Sequence, residues 1–250
     1  MNQCKEGQCH ICGKIEKLTF EHVPPKKVFN DRIAYVYKGV DVLVKGKKEA
    51  KYFINQKGMG DYTLCQQCNN NTGAWFADEY IRFSKATIYA LGEYKNLVNG
   101  QAIHFESIVM KPLKIVKQII AMFCSTLSFD IVQEYGFDKF LLHKESNDID
   151  TSNFDLRIYL TEPKWGAFTT GQIIPIIQKE DKLIALRFAE LGSYPFGFIL
   201  NLNPNNELNY GVSLNAFFKT KYNVECHVQL DIPYLKRKSD DKLLPLDFEE

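Results

Sequence analysis

Two short stretches, Cys9-His10-Ile11-Cys12-Gly13 and Cys65-Gln66-Gln67-Cys68, decide the fold of the N-terminal part of this 250-residue chain. Each contains a Cys-x-x-Cys knuckle, the spacing at which two thiolates reach one tetrahedral zinc ion. The 52 residues between the pairs exceed the roughly 15–20 of a simple zinc ribbon, so a metal would close a folded insertion. We therefore expect a structural Zn²⁺ on Cys9, Cys12, Cys65 and Cys68.

Other interpretations of these cysteines are weaker. A redox Cys-x-x-Cys is disfavoured because there are two pairs and no surrounding βαβ pattern. Cys4 and His10 stay open as substitute ligands, although both break the knuckle geometry. Four protein ligands leave no open position on zinc, so the expected role is scaffolding.

A carboxylate and an imidazole lie side by side between the knuckles, in the segment Leu18-Thr19-Phe20-Glu21-His22-Val23-Pro24-Pro25. Its first residues are typical of a strand, which the two prolines stop. Neighbouring residues of a strand face opposite sides, so Glu21 and His22 should diverge. Directly after the second knuckle comes Asn69-Asn70-Asn71-Thr72-Gly73, where we expect a helix to begin.

This ordered combination, over about residues 9–83, resembles the HNH endonuclease family with its zinc-stapled ββα-metal core. The resemblance implies that His22 is the general base that deprotonates water for attack on a phosphodiester. It implies that Glu21 and Asn69 hold a catalytic divalent metal, Mg²⁺ or Mn²⁺. Two positions depart from the family: Gly60 stands where an asparagine is common, and Thr72 replaces a frequent lysine before the glycine.

The chemistry of these residue types agrees with the resemblance. Histidine has an unperturbed pKa near 6.5, which suits a base at neutral pH, and oxygen ligands favour Mg²⁺ or Mn²⁺. Each residue also has a structural interpretation. His22 could satisfy a hydrogen bond at a strand end, Glu21 could be a surface carboxylate, and Asn69 could be a helix N-cap.

The N-terminal part carries an excess of positive charge. Residues 1–100 hold 15 basic and 10 acidic side chains, and residues 101–250 hold 16 basic and 20 acidic ones. Within residues 26–57 there are nine basic and three acidic side chains. We expect Lys26, Lys27, Lys47 and Lys48 to contact the phosphates of DNA, with RNA and a merely solvated loop as open alternatives.

The pattern of helical and strand segments along the whole chain predicts an α+β protein. We expect an HNH-like ββα-metal domain over residues 1–95 and a mixed α/β domain over residues 100–250. Helical spacing covers residues 73–91 before Gly92, and Pro112 opens a core helix. A hairpin is expected around Lys38-Gly39, between residues 35–37 and 40–44. Further strands are expected at residues 156–161, 173–177, 183–189, 196–202 and 226–232, and residues 236–250 read as a charged tail.

Composition narrows the class of protein. With 45% hydrophobic and 24% charged residues the chain is globular, and no apolar run approaches the roughly 20 residues of a membrane span. A polar N-terminus favours the cytoplasm, and stand-alone proteins that resemble this arrangement are frequent in bacteria. Two other functions stay open: a non-catalytic zinc-stapled nucleic-acid-binding module, and a protein-interaction adaptor. The C-terminal domain would bind substrate, or a protein or small-ligand regulator.

Overall fold

The computed structural model describes residues 5–28, 30–31, 33–37, 49, 51–94, 96–163, 166–168, 176–179, 182–204 and 210–236. The strands are β1 (Lys5–Gln8), β2 (Ile15–His22), β3 (Ala34–Tyr37), β4 (Tyr52–Asn55), β5 (Gly60–Cys65), β6 (Ala102–Met110), β7 (Asp155–Thr161), β8 (Gly166–Phe168), β9 (Ile176–Lys179), β10 (Lys182–Ala185), β11 (Phe188–Ser193), β12 (Phe196–Asn201), β13 (Val212–Ser213) and β14 (Cys226–Leu235). The α-helices are α1 (Gln66–Thr72), α2 (Asp78–Leu91), α3 (Pro112–Cys124), α4 (Phe129–Glu134) and α5 (Phe137–Leu142). The protein is therefore mixed α+β, as the sequence predicts.

The N-terminal unit is a three-stranded antiparallel sheet followed by a helix. Its strand order is β1-β2-β5, and α1 follows β5 without a break. The strand predicted before Pro24 is confirmed as β2. Because α1 runs through a π-helical segment (Gly73–Ala77) into α2, the helix predicted over residues 73–91 is confirmed, and α2 ends at Leu91 before Gly92.

The start of this helix is earlier than the sequence predicts. It begins at Gln66, because the Cys65 sulfur caps it by accepting the backbone N–H of Cys68 at 3.5 Å. The expected start within residues 69–73 is therefore wrong. The same finding rules out Asn69 as the N-cap.

A larger sheet dominates the rest of the protein. Its strand order is β6-β14-β7-β12-β11-β8, with β13 beside β7. Among the described strands of this sheet, only β14 and β7 pair in parallel. The core helix predicted from Pro112 is confirmed as α3, whose side chains are nearly all buried. Three predicted strands match β7, β12 and β14. The strand expected over residues 183–189 is two strands, β10 and β11, separated at Leu186 and Arg187.

Some predicted elements lie partly outside the described residues. Residues 35–37 form a strand, but its described partner is β4 and not residues 40–44, which lie outside the description. Of the strand expected at residues 173–177, only residues 176–177 are described, within β9. The charged tail is outside the description from residue 237 onward.

The N-terminal unit and the larger sheet share one hydrophobic core. The Phe83 ring of α2 stacks on Phe196 of β12 with centroids 4.6 Å apart, and Tyr80 lies against Phe198 at 6.1 Å. The Tyr222 hydroxyl donates to the Trp75 carbonyl at 3.2 Å. Phe76 lies in this core, and Trp75 packs against it. Among the described helices, none is both long enough and apolar enough to cross a membrane.

Candidate functional site

The four cysteines of the two knuckles come together at one point. Cys9 follows β1, Cys12 lies in the turn before β2, and Cys65 and Cys68 lie where β5 passes into α1. Their sulfur atoms all lie within 4.8 Å of one another, and the predicted clustering is confirmed. The Cys12 and Cys65 sulfurs are 3.9 Å apart, close to the separation of about 3.8 Å that tetrahedral Zn–S bonds of about 2.3 Å require. The donor set therefore fits a metal ion such as zinc.

The pKa values of neighbouring cysteines in the cluster shift in opposite directions. Hydrogen bonding from Cys68 lowers the pKa of Cys9 to about 4. Burial raises the pKa of Cys65 to about 11. When several ionisable thiols lie close together in a partly buried site, a negative charge on one disfavours a negative charge on the next, so their pKa values shift in opposite directions. A bound cation would offset this repulsion.

The turn that carries the first knuckle is fixed by backbone geometry. The Cys9 N–H donates to the Lys14 carbonyl, and the Gly13 N–H donates to the Cys9 carbonyl, both at 2.8 Å. Gly13 has φ +71°, and a Cβ there would lie 2.4 Å from the Phe129 ring. Only glycine meets both conditions, which explains the Cys-x-x-Cys-Gly pattern.

Glu21 and His22 end β2, next to the first residues of β5. In the strand register Glu21 lies opposite Asp61 and His22 opposite Gly60. A Cβ on Gly60 would lie 2.0 Å from the Glu21 carbonyl oxygen. Glycine at position 60, in place of the asparagine of the pattern that the sequence resembles, therefore has a physical cause, since the two backbones approach too closely for any side chain.

The Glu21 carboxylate is partly buried, and within the described part of the chain neither a hydrogen bond nor an ion pair reaches it. Burial raises its pKa to about 8. The interpretation of Glu21 as an ordinary surface carboxylate is therefore disfavoured, because a solvated glutamate would keep its usual pKa.

The His22 ring lies on the other side of β2, edge-on to Phe20 with centroids 4.9 Å apart. Burial lowers the pKa of His22, and the positive charges of Lys26 and Lys57 lower it further, while a hydrogen bond to the Lys57 main chain opposes them. The ring is thus neutral at pH 7, the form in which an imidazole can accept a proton.

Asn69 joins α1 to β2 just before the Glu-His pair. Its side-chain amide donates to the Thr19 hydroxyl at 3.0 Å and to the Phe20 carbonyl at 3.3 Å. The structure therefore links Asn69 to the two residues of β2 that immediately precede Glu21.

Asn30, which the sequence analysis does not single out, fastens the loop after His22. Its buried amide donates to the carbonyls of Pro24 at 2.6 Å and Met59 at 2.8 Å, and its side-chain oxygen accepts the Met59 N–H at 2.6 Å. These bonds tie the loop directly to the start of β5. The sequence signal was a lone asparagine in a loop, which has no distinguishing pattern.

The predicted basic contacts are only partly described. Lys26 and Lys27 are exposed after the cis Val23–Pro24 peptide, and Lys26 is close enough to His22 to influence its pKa. Lys47 and Lys48 lie outside the described residues. Lys57, not among the predicted contacts, also lies near the site: its main chain hydrogen-bonds to His22, and its ammonium donates to the Tyr62 hydroxyl at 3.0 Å.

Thr72, the second departure from the family, is an internal helix residue. It is buried, and its hydroxyl donates to the carbonyls of Cys68 at 3.0 Å and Asn69 at 3.2 Å. A lysine there would have to bury its stem where the helix packs. The neighbouring Asn70 accepts a hydrogen bond from the Gln66 side chain at 2.7 Å.

Comparison of the chain with protein-family models, with curated proteins and with solved structures gives no match. Its function must therefore be argued from the site itself.

Proposed function

We propose that this protein is a metal-dependent nuclease of the HNH kind that hydrolyses phosphodiester bonds of DNA. One arrangement carries the proposal: the adjacent Glu21 and His22 end a strand that is held by the helix of the four-cysteine unit through Asn69. The paired strands and following helix correspond in order to the ββα core that the sequence resembles.

His22 would act as the general base. Its neutral imidazole accepts a proton from the water that attacks phosphorus, a role worth roughly 10²–10⁴ in rate. Lys26 and Lys57 favour this neutral form and attract the phosphate as well. Asn30 would keep the loop beyond His22 in place.

Glu21 and the side-chain oxygen of Asn69 would hold Mg²⁺ or Mn²⁺. Such an ion, when bound, supplies positive charge where negative charge develops on the phosphate and the leaving oxygen. The donor set fits, because both donors are oxygen atoms and the partly buried Glu21 carboxylate has no described polar partner. The four-cysteine cluster would remain structural, with all its sulfurs committed to one ion.

Divalent-metal dependence tests this proposal. Purified wild-type protein is incubated with supercoiled plasmid DNA, with and without added Mg²⁺ or Mn²⁺, and nicking and linearisation are followed. The Glu21→Gln variant should lose metal-dependent cleavage, because a neutral amide holds these ions poorly. Glu16→Gln, an exposed glutamate on the same strand, should cleave like the wild type. Equal cleavage by Glu21→Gln and wild type would contradict the assigned metal ligand.

A second candidate is a zinc-stapled nucleic-acid-binding module without cleavage. Gly60 and Thr72 favour it, because they replace two residues that are common in the family. Such a module would bind DNA with an affinity that falls steeply with salt and is indifferent to Mg²⁺ or Mn²⁺. Salt-dependent binding without cleavage under either metal would favour this candidate.

A further inference from the structure

Strand β4, which pairs with β3 in a two-stranded ribbon, presents two apolar side chains to solvent. In the described part of the chain no third strand pairs with it. Tyr52 and Ile54 are each 54% exposed. They are two residues apart on β4, so they lie on the same face of the ribbon. Single exposed apolar side chains are ordinary, but two on one face of a four-residue strand form a contact surface.

The insertion that contains this face carries an excess of positive charge. Residues 26–57 hold nine basic and three acidic side chains, and Lys51 and Lys57 flank β4 directly, with Glu49 and Asp61 farther away in sequence. Lys51 precedes β4 and is exposed, and Lys57 follows the strand by two residues. An apolar face between two cations suits a polyanion with apolar groups between its charges. A second copy of this chain suits it less, because two copies of the face would bring the lysines of one copy, Lys51 and Lys57, close to the same lysines of the other.

The ribbon is joined directly to the proposed active site. The Lys57 main chain hydrogen-bonds to the His22 ring. The Lys57 ammonium lies 5.3 Å from the Phe20 ring centroid and 5.5 Å from that of Tyr62. A nucleic acid with a phosphate at His22 therefore has the base of the ribbon beside it.

We infer that the β3–β4 ribbon is a DNA-binding element that docks in a groove of duplex DNA flanking the cleaved phosphate. A groove about 12 Å wide admits a two-stranded ribbon, and strand β4, about 13 Å long at about 3.3 Å per residue, spans about four base pairs. Tyr52 and Ile54 make the apolar contacts with bases and sugars, and Lys51 and Lys57 bind flanking phosphates. This inference rests on the proposed function, since it takes DNA as the substrate.

The test separates binding from cleavage. Fluorescence anisotropy measures the Kd for a labelled 30-base-pair duplex, and for a single strand of the same sequence, in a His22→Ala background that removes the proposed base. The ribbon variant is Tyr52→Ala with Ile54→Ala. The matched control is Tyr89→Ala with Ile15→Ala, which removes the same two side-chain types from positions that are 82% and 71% exposed. Zinc content and circular dichroism are measured for each protein.

The expected result is a Kd for the duplex at least about tenfold higher in the ribbon variant, with no change in the control and a smaller change on the single strand. Equal duplex affinity of the ribbon variant and its background would overturn the inference while leaving the nuclease proposal intact. An equal loss on duplex and single strand would overturn groove docking. Loss of self-association in sedimentation, with duplex affinity unchanged, would assign the face to a second copy instead. Absence of any DNA binding by the background and wild-type proteins would overturn both proposals.

Discussion

The Nδ1 atom of His10 lies 3.1 Å from the carbonyl oxygen of Cys124, within hydrogen-bonding distance. His10 lies between the first two cysteines of the cluster, and Cys124 is the last residue of the core helix α3. The first cysteine knuckle is therefore anchored to the centre of the protein by the side chain of His10, which is not one of the four clustered cysteines. Phe129, packed over Gly13, reinforces the same contact.

This contact predicts that His10 stabilises the fold without holding the metal. His10→Ala should retain one zinc per chain and lose about 1–2 kcal/mol of unfolding free energy, because the Cys124 carbonyl loses its partner. Metal analysis and urea unfolding measure the two quantities. Cys65→Ser should instead lose zinc and much more stability, whereas Cys226→Ser, outside the cluster, should change neither. Loss of zinc from His10→Ala would show that His10 is a ligand.

Replacing Asn30 should lower the unfolding free energy more than replacing an exposed asparagine that also bonds to backbone carbonyls. Asn30→Ala removes three hydrogen bonds that join the loop after His22 to the start of β5. The Pro24 carbonyl and the Met59 N–H lose these bonds at a site that is 5% exposed, while the Met59 carbonyl keeps the Val23 N–H, so we expect a loss of about 2–4 kcal/mol. Cleavage by the folded fraction should also fall, because the loop beyond His22 is released. Asn147→Ala, whose two bonds are at 3.4 and 3.3 Å and exposed, should cost less than about 1 kcal/mol. Similar unfolding curves for both variants would refute this role.

The close approach at Gly60 predicts a large difference between two glycine substitutions. Gly60→Ala forces a methyl group against the Glu21 carbonyl, so the two strands must separate and several kcal/mol should be lost. Gly73→Ala meets nothing within 4 Å and lies in a helical segment, so it should stabilise by about 0.5–1 kcal/mol. Thermal unfolding of both variants checks this. A Gly60→Ala protein as stable as the wild type would mean that the strands pair differently.

Lys117 predicts a pH dependence of stability. It is fully buried, and its ammonium donates to the carbonyls of Phe140 and, at 3.0 Å, His143. Burial lowers its pKa to about 7, against 10.5 for an unperturbed lysine side chain. Between these values the unfolded chain binds more protons than the folded one, so this residue's contribution to stability rises with pH over that window.

Replacing Lys117 with methionine should remove that slope. Urea unfolding of wild type and Lys117→Met at pH 7 and pH 9.5 gives two differences in unfolding free energy. The unfolding free energy of the wild type, relative to that of Lys117→Met, should be about 2–3 kcal/mol higher at pH 9.5 than at pH 7. Comparing the two proteins cancels the titration of other groups, the cysteines included. The same difference in unfolding free energy at both pH values would show that Lys117 keeps its ordinary pKa.

Local patterns in the sequence were enough to predict the parts of the site that depend on short spacings. The cysteine pairs, the strand that ends before Pro24 and the core helix after Pro112 each carry a local signal, and the structure has all three. The helix start was misplaced because a cysteine sulfur, not an asparagine, caps it. A capping cysteine is indistinguishable in sequence from one that only binds metal.

Other features depend on contacts between distant residues. Asn30 and Lys57 reach the Glu21-His22 end of β2 only because the insertion folds back onto β2 and β5. Strand β6 pairs with β14, which lies more than 100 residues later in the sequence, and no local pattern in either strand indicates that the two pair. The four polar residues of β1 contain no apolar alternation, so nothing in them predicts a strand.

The central claim is that His22 is the base of a nuclease, and one rate comparison tests it most directly. Single-turnover cleavage of a labelled DNA duplex in Mn²⁺ is measured for wild type and His22→Ala, with His143→Ala as an exposed control and zinc content matched. We predict that wild type and control cleave at the same rate and that His22→Ala is slower by roughly 10²–10⁴. Cleavage by His22→Ala at the wild-type rate, or none by any of the three proteins, would contradict the account.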